Sequence, residues 1–378
     1  MNADGWDVFG RAILANPALQ ERLGAIELPD AFEAEAHAVA AASGIVLPVG
    51  ATPGRPVSVE FDCWPDTGWL PARTVPGTGA PAFDWIWFGA RPLVESFYRD
   101  SALRMGTRPL SRTVRPRTDM AALVAGASRE GTLAPQGFIF HMSRCGSTLV
   151  AQMLAAVPHH AVVSEAEPID AIVQWTRDAD VPFEDKLTAL RAIVAALGRN
   201  RDGLARRYFV KLDSWHVLAL PLFRAAFPEV PWIFLYRDPA EVLVSQMRMP
   251  GLHVAASLPG VEPAADFSLE THGAKVLAKL LTAVAEHLAL GRGMLVDYAE
   301  LPYAMEASIP GHFGFAPDAG EARAMAAARA RDAKAPGERF VADVARKRAA
   351  VTPAIAAAVE RFLDAPYARL KSLRTVAR

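Results

Sequence analysis

Residues 137–152 read Gly-Phe-Ile-Phe-His-Met-Ser-Arg-Cys-Gly-Ser-Thr-Leu-Val-Ala-Gln, and this stretch decides the fold. Its apolar run at 138–140 has the composition of a buried strand. The run breaks at small residues from Ser143 to Thr148, and the apolar positions beyond them recur with helical spacing. The pattern predicts a strand, a tight loop and a helix in direct succession.

The predicted loop has the properties of an anion site. A tight turn before a helix directs backbone N–H groups at one point, and the helix dipole adds partial positive charge there. Arg144 places a cation beside the loop, while Ser147 and Thr148 offer hydroxyl donors in the first helical turn. The stretch therefore suits a phosphate or a sulfate group.

The order of the loop residues separates two kinds of nucleotide loop. The ATP-binding form requires a Gly-Lys pair followed by Ser or Thr, whereas here Gly146 is followed directly by Ser147 and Thr148. Arg144-Cys145-Gly146-Ser147-Thr148 instead resembles the 5′-phosphosulfate loop of the sulfotransferases that use 3′-phosphoadenosine 5′-phosphosulfate (PAPS). The resemblance implies that these five residues bind PAPS and that Arg144 stabilises the leaving phosphate. A purely structural Gly-Ser-Thr turn is the alternative.

A second element supports the same resemblance. The apolar run 232–236 has strand length and is followed by Arg237-Asp238-Pro239 and a helical pattern at 240–249. In the sulfotransferases an Arg at such a strand end, with a Ser eight positions later, holds the 3′-phosphate; Arg237 and Ser245 have this spacing. An Arg there presents a planar fork of donors. The alternatives are a surface salt bridge of Arg237 with Asp238 or Glu241, and a solvated Ser245.

Composition and charge bound the remaining possibilities. The chain has 378 residues and a formal net charge of −1, which gives no argument for a nucleic acid partner or an anionic membrane. Its two cysteines, Cys63 and Cys145, form no metal or disulfide pattern, and we expect no metal ion. The first residues lack the features of a signal peptide, and no apolar run approaches about 18 residues. We expect a cytoplasmic protein.

The chain before residue 133 divides into two predicted regions. Residues 1–45 read as short helices and are similar to the nitrogen-fixation-type leader-peptide domain; a small helical cap is the alternative. Residues 46–132 predict an α+β accessory region with a strand at 57–63 and another at 84–89. It holds most of the five tryptophans that precede residue 90, which suit a core or an acceptor pocket. Its arginine-rich end, 104–117, reads as a basic, helix-poor linker.

Residues 133–378 predict a sulfotransferase-like α/β domain. Strand patterns alternate with helical patterns, as in a three-layer, doubly wound parallel sheet with a P-loop-like nucleotide site. Ligand sites of such sheets lie at the carboxyl ends of the strands, where both proposed phosphate-binding elements fall. The candidate strands are 137–141, 160–164, 207–212, 232–236 and 294–297.

An acidic turn follows the second of these strands. Glu165 lies 21 positions after Arg144, the spacing at which protein-tyrosine sulfotransferases carry a Glu that is their general base. The resemblance implies that Glu165 takes the proton of the acceptor. A helix-start role is the alternative for Glu165 and also for Glu167.

Two further strand ends carry polar residues. Lys211 ends the third strand, where the cytosolic branch of the family has Lys-Thr-His, so the resemblance implies that Lys211 touches the transferring group. Asp213 replaces the family's His, which puts a histidine base in doubt; Asp213 or Ser214 is the candidate that orients the acceptor, and His216 reads as a helix-start residue. Tyr298 follows the last strand and is expected against the adenine, with routine core packing as its alternative.

Taken together, these residues predict a sulfotransferase that moves the sulfuryl group of PAPS to a hydroxyl or amine of a small-molecule or peptide acceptor, releasing adenosine 3′,5′-bisphosphate. A basic loop near the C-terminus closes the nucleotide site in the family, and Lys334 or Arg339 is the candidate here. Two alternatives remain: a P-loop kinase or nucleoside triphosphatase that uses ATP with Mg²⁺, and a non-catalytic peptide-binding protein.

Overall fold

The computed structural model describes residues 5–48, 55–75, 79–178, 180–249, 258, 261, 268–331 and 344–376. Contacts divide the chain into two compact units. The first unit comprises Met1–Ala134 and Glu165–Arg207, and the second comprises Pro135–Ser164 and Tyr208–Arg378. The domain boundaries drawn from the sequence, 1–45, 46–132 and 133–378, stay a prediction.

Nine strands lie in the described part of the chain. In chain order they are β1 (Val57–Glu60), β2 (Trp69–Val75), β3 (Ala82–Trp87), β4 (Val114–Thr118), β5 (Pro135–His141), β6 (His160–Ser164), β7 (Arg207–Lys211), β8 (Trp232–Tyr236) and β9 (Gly293–Asp297).

The α-helices of the described residues are α1 (Gly5–Leu14), α2 (Pro17–Gly24), α3 (Pro29–Ala42), α4 (Tyr98–Gly106), α5 (Pro109–Thr113), α6 (Met120–Ala125), α7 (Ser147–Ala155), α8 (Glu167–Asp178), α9 (Phe183–Leu197), α10 (Leu220–Ala226), α11 (Pro239–Arg248), α12 (Leu269–His287), α13 (Ala304–Ala307), α14 (Ile309–His312), α15 (Ala319–Arg329), α16 (Val344–Ala349), α17 (Pro353–Phe362) and α18 (Asp364–Val376). Short 3₁₀ helices span Gly126–Ser128, Ser214–Ala219, Leu288–Leu290 and Tyr298–Glu300.

The first unit is built on a four-stranded sheet in the order β1-β4-β3-β2. Strand β1 runs parallel to β4, and the other neighbours are antiparallel. The five tryptophans that precede residue 90 are all buried, so they form core rather than an acceptor pocket: Trp6, Trp64, Trp69, Trp85 and Trp87.

The interpretation of residues 104–117 as a basic linker is wrong. This segment contains the end of α4, all of α5 and most of β4, which pairs with both β1 and β3. Pro109 opens α5 at its first turn, and Pro116 lies within β4. The arginines alternate with the buried residues Val114, Pro116 and Thr118, so the strand pattern is present but its polar face is entirely basic.

The second unit contains a five-stranded parallel sheet in the order β6-β7-β5-β8-β9. The chain leaves the central strand β5 for one side of the sheet and returns to the other side at β8, which is the doubly wound topology. The predicted α/β fold is confirmed, and the carboxyl ends of β5 and β8 meet at the switch point where such sheets bind ligands. Its central strands are continuous apolar runs because the sheet is buried on both faces.

Local signals set the helix starts near this edge. The side chain of Asp238 caps α11, whose first residue is Pro239, and Thr352 caps α17 ahead of Pro353. None of the helices in the described residues is long and apolar enough to cross a membrane.

Candidate functional site

The loop between β5 and α7 has a left-handed backbone. Ser143, Arg144 and Gly146 have φ values of 72°, 52° and 88°. Among the described residues only four non-glycine residues have positive φ, and Glu165 is another of them. Such conformations cost on the order of 1–2 kcal/mol for a residue with a Cβ, so tertiary structure must hold them.

The first turn of helix α7 has no side-chain cap. Its N-cap residue is Gly146, which has no side chain to accept a hydrogen bond from the first turn. A Cβ at Gly146 would lie 2.8 Å from Leu301 Cδ1 and 2.9 Å from Tyr298 Cδ2. Only glycine therefore fits the left-handed φ and the close approach of the Tyr298 turn.

Two side chains that the sequence reasoning missed hold the loop. His141, the last residue of β5, accepts the N–H of Ser143 at Nδ1 (3.0 Å), and its Nε2 lies 2.9 Å from the carbonyl oxygen of Leu212. These partners assign a neutral imidazole that carries its proton on Nε2. Gln246 donates its amide to Ser143 Oγ (3.2 Å) from α11. The available signal was a polar residue at the end of an otherwise apolar strand.

Arg144 places a positive charge beside the loop. Its Nη2 donates to the carbonyl oxygen of Met249 (2.7 Å), and no described Asp or Glu forms an ion pair with it. Burial lowers the pKa of the guanidinium from its ordinary value. A half-buried charge in this state favours a bound anion.

Cys145 links the loop to the sheet, and nearby charges affect the pKa of its thiol. The thiol is buried and donates to the carbonyl oxygen of Leu235 (3.1 Å). Burial raises the pKa of the Cys145 thiol to about 11, opposed in part by the positive charges of Lys211 and Arg237. Both cations therefore act on the loop, and the thiol stays neutral near pH 7.

Arg237 lies beneath an aromatic ring and beside a buried carboxylate. Its Cζ is 3.9 Å from the centroid of Tyr298, and its Nε donates to Glu241 Oε2 (2.7 Å). Arg237 is 4% exposed and Glu241 is 3% exposed. The salt bridge with Glu241 is therefore present, but it is buried and does not lie on the surface. Arg348 from α16 approaches Glu241 Oε1 to 3.1 Å. Two guanidiniums thus share one carboxylate.

The other predicted nucleotide contacts lie on the same edge. Ser245 is half-buried on α11, one helical turn beyond Glu241 on the same helix face. Tyr298 opens a 3₁₀ turn whose capping residues, Asp297 and Glu300, both pair with Arg374 of α18. The C-terminal helix therefore anchors the turn that places Tyr298 between Gly146 and Arg237.

The end of β7 combines a buried cation with a local cap. Lys211 is fully buried and lies opposite Ile139 of β5 in the sheet register. Asp213 caps the 3₁₀ helix 214–219, and its N–H donates to His216 Nδ1 (3.3 Å). His216 is thus a helix-start residue, as the sequence predicts. A catalytic role for Lys211 or Asp213 stays a prediction.

Glu165 belongs to the first unit, directly after the last residue of β6. It is half-buried with a φ of 52°, and its role as general base stays a prediction. The neighbouring Glu167 has a structural contact, since it begins α8 and accepts the N–H of Thr74 (3.0 Å). Lys334 and Arg339 lie outside the described residues.

The comparisons with known proteins identify one family. Residues 135–310 match the model described as the sulfotransferase family, which confirms the resemblance inferred from the two motifs. The match does not reach residues 1–45, so the likeness to a leader-peptide domain stays a prediction. Among curated proteins, none matches the chain.

Three solved structures are similar to the chain at low identity. The sulfotransferase STF1 from Mycobacterium tuberculosis H37Rv is 14% identical with a TM-score of 0.43, covering 70% of this chain and 86% of that one. A sulfotransferase domain from the curacin biosynthetic pathway is 13% identical with a TM-score of 0.38, covering 61% of this chain and 98% of that one. The sulfotransferase domain of the Synechococcus PCC 7002 olefin synthase is 16% identical with a TM-score of 0.37, covering 62% of this chain and 97% of that one.

Proposed function

We propose, on the premise that residues 135–310 match the sulfotransferase family, that this chain transfers a sulfuryl group from PAPS to a hydroxyl or amine of a small-molecule or peptide acceptor. One observation carries the proposal. The loop that precedes α7 is held in a left-handed backbone, lacks a side-chain cap and bears Arg144 without a described carboxylate partner. These are the requirements of an anion site.

The distances support a single nucleotide that spans two anion-binding elements. Tyr298 would contact a Cβ at Gly146 and already stacks on Arg237, so it lies between the loop and the predicted 3′-phosphate residue. In the proposal the loop residues 144–148 bind the 5′-phosphosulfate, Arg237 and Ser245 bind the 3′-phosphate, and Tyr298 contacts the adenine. Arg237 and Arg348 place two guanidiniums on this side of Glu241, and such planar donors suit a phosphate.

The charges of the chain suit the chemistry of the step. PAPS supplies a sulfuryl group on a good phosphate leaving group. Arg144 and Lys211 balance the negative charge that develops on the leaving phosphate oxygen, because a hydrogen bond to Met249 holds Arg144 and the end of β7 holds the buried Lys211 before any ligand arrives. Glu165 accepts the proton of the acceptor, and the loop fixes the line of attack. The step needs no metal ion in this proposal.

The test is transfer of ³⁵S from labelled PAPS to a panel of alcohols, phenols, amines and tyrosine-containing peptides. Glu165→Gln is expected to lower kcat on the best acceptor by about 10²–10⁴-fold and to change the affinity for adenosine 3′,5′-bisphosphate by less than about twofold. Glu167→Gln is the matched control, since its side-chain oxygen still accepts from Thr74. Equal losses of turnover in both variants, or unchanged turnover in Glu165→Gln, contradict the assignment of the base.

A further inference from the structure

One face of the sheet in the first unit brings three arginines around a single buried carboxylate. In the antiparallel register Arg73 of β2 lies opposite Asp84 of β3, and Asp84 lies opposite Arg117 of β4. Arg115 precedes Arg117 by two residues and therefore points to the same face. Directly opposed side chains have Cβ atoms about 4.5–5.5 Å apart, so these four residues form one cluster, which we call the arginine face.

The carboxylate of Asp84 accepts a hydrogen bond from only one of the three guanidiniums of the arginine face. Arg117 occupies it, with Nε donating to Asp84 Oδ1 at 2.7 Å, whereas Arg115 Nη1 stays 4.0 Å from Oδ2. The Nε of Arg115 is buried and has no hydrogen-bond partner. Arg73 forms no hydrogen bond or ion pair with any residue that the structure describes. Glu60 adds little, since it is 70% exposed and 3.9 Å from Arg117.

The electrostatics show an excess of positive charge at Arg115. Burial lowers its pKa, and repulsion from Arg73 lowers the pKa more than attraction to Asp84 raises it. Ile86 lies two residues after Asp84 on β3 and therefore shares its face of the sheet. A Cβ at Gly106 would be 3.3 Å from Ile86 Cδ1 and 3.8 Å from Arg73 Nη2, so the guanidinium of Arg73 lies over that face. The Nη2 of Arg115 donates to the carbonyl oxygen of Ser111 (3.4 Å), so only part of its guanidinium is satisfied. Arg73 and Arg115 therefore present donors to a common area.

We propose that the arginine face binds an oxyanion, namely a carboxylate, a phosphate or a sulfate group, with Arg73 and Arg115 as its donors. Guanidiniums match such groups through paired N–H donors, and one anion bound at the exposed Arg73 would offset its repulsion of Arg115. Asp84 orients Arg117 within the cluster and does not contact the anion. The site shares no residue with the proposed nucleotide site and does not depend on sulfuryl transfer.

The test is equilibrium dialysis of the full chain against ³²P-labelled inorganic phosphate and, separately, ¹⁴C-labelled acetate, in a buffer of low ionic strength without other oxyanions. Arg73→Gln and Arg115→Gln are each expected to weaken binding of the preferred anion about tenfold at a site that Arg144→Gln leaves intact. The two labels distinguish a phosphate-type ligand from a carboxylate. Arg112→Gln, at an exposed position of α5 in the same unit, is the matched control and is expected to bind as the wild type does.

Three results overturn the proposal: neither anion binds, Arg73→Gln binds both anions as tightly as the wild type, or Arg144→Gln abolishes all binding. The Arg73 variant keeps the test decisive if Arg115→Gln unfolds, because Arg73 is exposed. Failure of the sulfotransferase proposal gives a different result. In that case adenosine 3′,5′-bisphosphate does not bind, while phosphate or acetate still binds at the arginine face.

Discussion

The loop before α7 and the arginine face concentrate positive charge in two different ways. In the loop, backbone N–H groups at a helix start and a left-handed turn supply most of the geometry that we propose binds an anion, and Arg144 adds one formal charge. On the arginine face, side chains from three strands supply all of it, around Asp84. A contiguous stretch of sequence encodes the first arrangement, whereas only the register of distant strands creates the second.

The two regions also differ in how deeply the arginine partners of their buried carboxylates lie, and this gives the largest expected effect. Glu241→Ala removes the carboxylate that pairs with the buried Arg237 and is expected to lower the free energy of unfolding by about 3 kcal/mol. Asp84→Ala removes a carboxylate whose partner Arg117 is 29% exposed, and we expect a loss of about 1–2 kcal/mol. Urea denaturation measures both. Equal losses would break the contrast in burial.

The two cysteines sharpen the contrast through their reactivity. With a pKa raised to about 11, the Cys145 thiol is about 0.1% ionised at pH 8. We expect iodoacetamide to modify Cys145 at least about a hundredfold more slowly than the half-exposed Cys63, at a rate that rises about tenfold per pH unit up to about pH 11. Peptide mass spectrometry resolves the two sites. Comparable rates of modification of Cys145 and Cys63 at pH 8 would show that the Cys145 thiol is accessible to solvent, which contradicts its burial in the loop.

Two glycines with similar backbone angles test the shape of the loop. Gly131 has a φ of 82°, and a Cβ placed there would have no atom within 4 Å, so Gly131→Ala should cost only about 1 kcal/mol of backbone strain. Gly146→Ala adds a collision with Tyr298 and Leu301, and we expect it also to weaken binding of adenosine 3′,5′-bisphosphate about tenfold. Thermal unfolding and calorimetry measure the two effects. Equal behaviour of both variants would contradict the close approach.

The smallest effect concerns the support of the loop backbone. His141→Ala removes the acceptor of the Ser143 N–H and should weaken bisphosphate binding about fivefold. His141→Asn places an amide oxygen near the position of Nδ1 and is expected to restore most of the affinity. Calorimetry at pH 7.5 distinguishes them. An unaltered affinity in His141→Ala would show that the left-handed turn holds without this side chain.

The sequence predicts the parallel sheet and the anion loop because each is encoded locally. The runs at 137–141, 160–164 and 232–236 become β5, β6 and β8 within two residues of the expected bounds. The arginine-rich segment was misread because β4 has a wholly basic polar face and an internal proline. The pair of Arg237 with Glu241 was foreseen only as a surface contact, since burial depends on the packing of α11 and α16.

The most direct test of the account is isothermal titration calorimetry with adenosine 3′,5′-bisphosphate, run beside ATP with Mg²⁺ on the same protein. We expect tight binding of the bisphosphate and none of ATP with Mg²⁺. Arg237→Ala should lose at least about a hundredfold in affinity, while Arg329→Ala, which breaks an exposed ion pair with Glu306, should bind normally. Preferential binding of ATP with Mg²⁺ would indicate a kinase or nucleoside triphosphatase, and binding of neither would indicate a non-catalytic protein; either result contradicts the account.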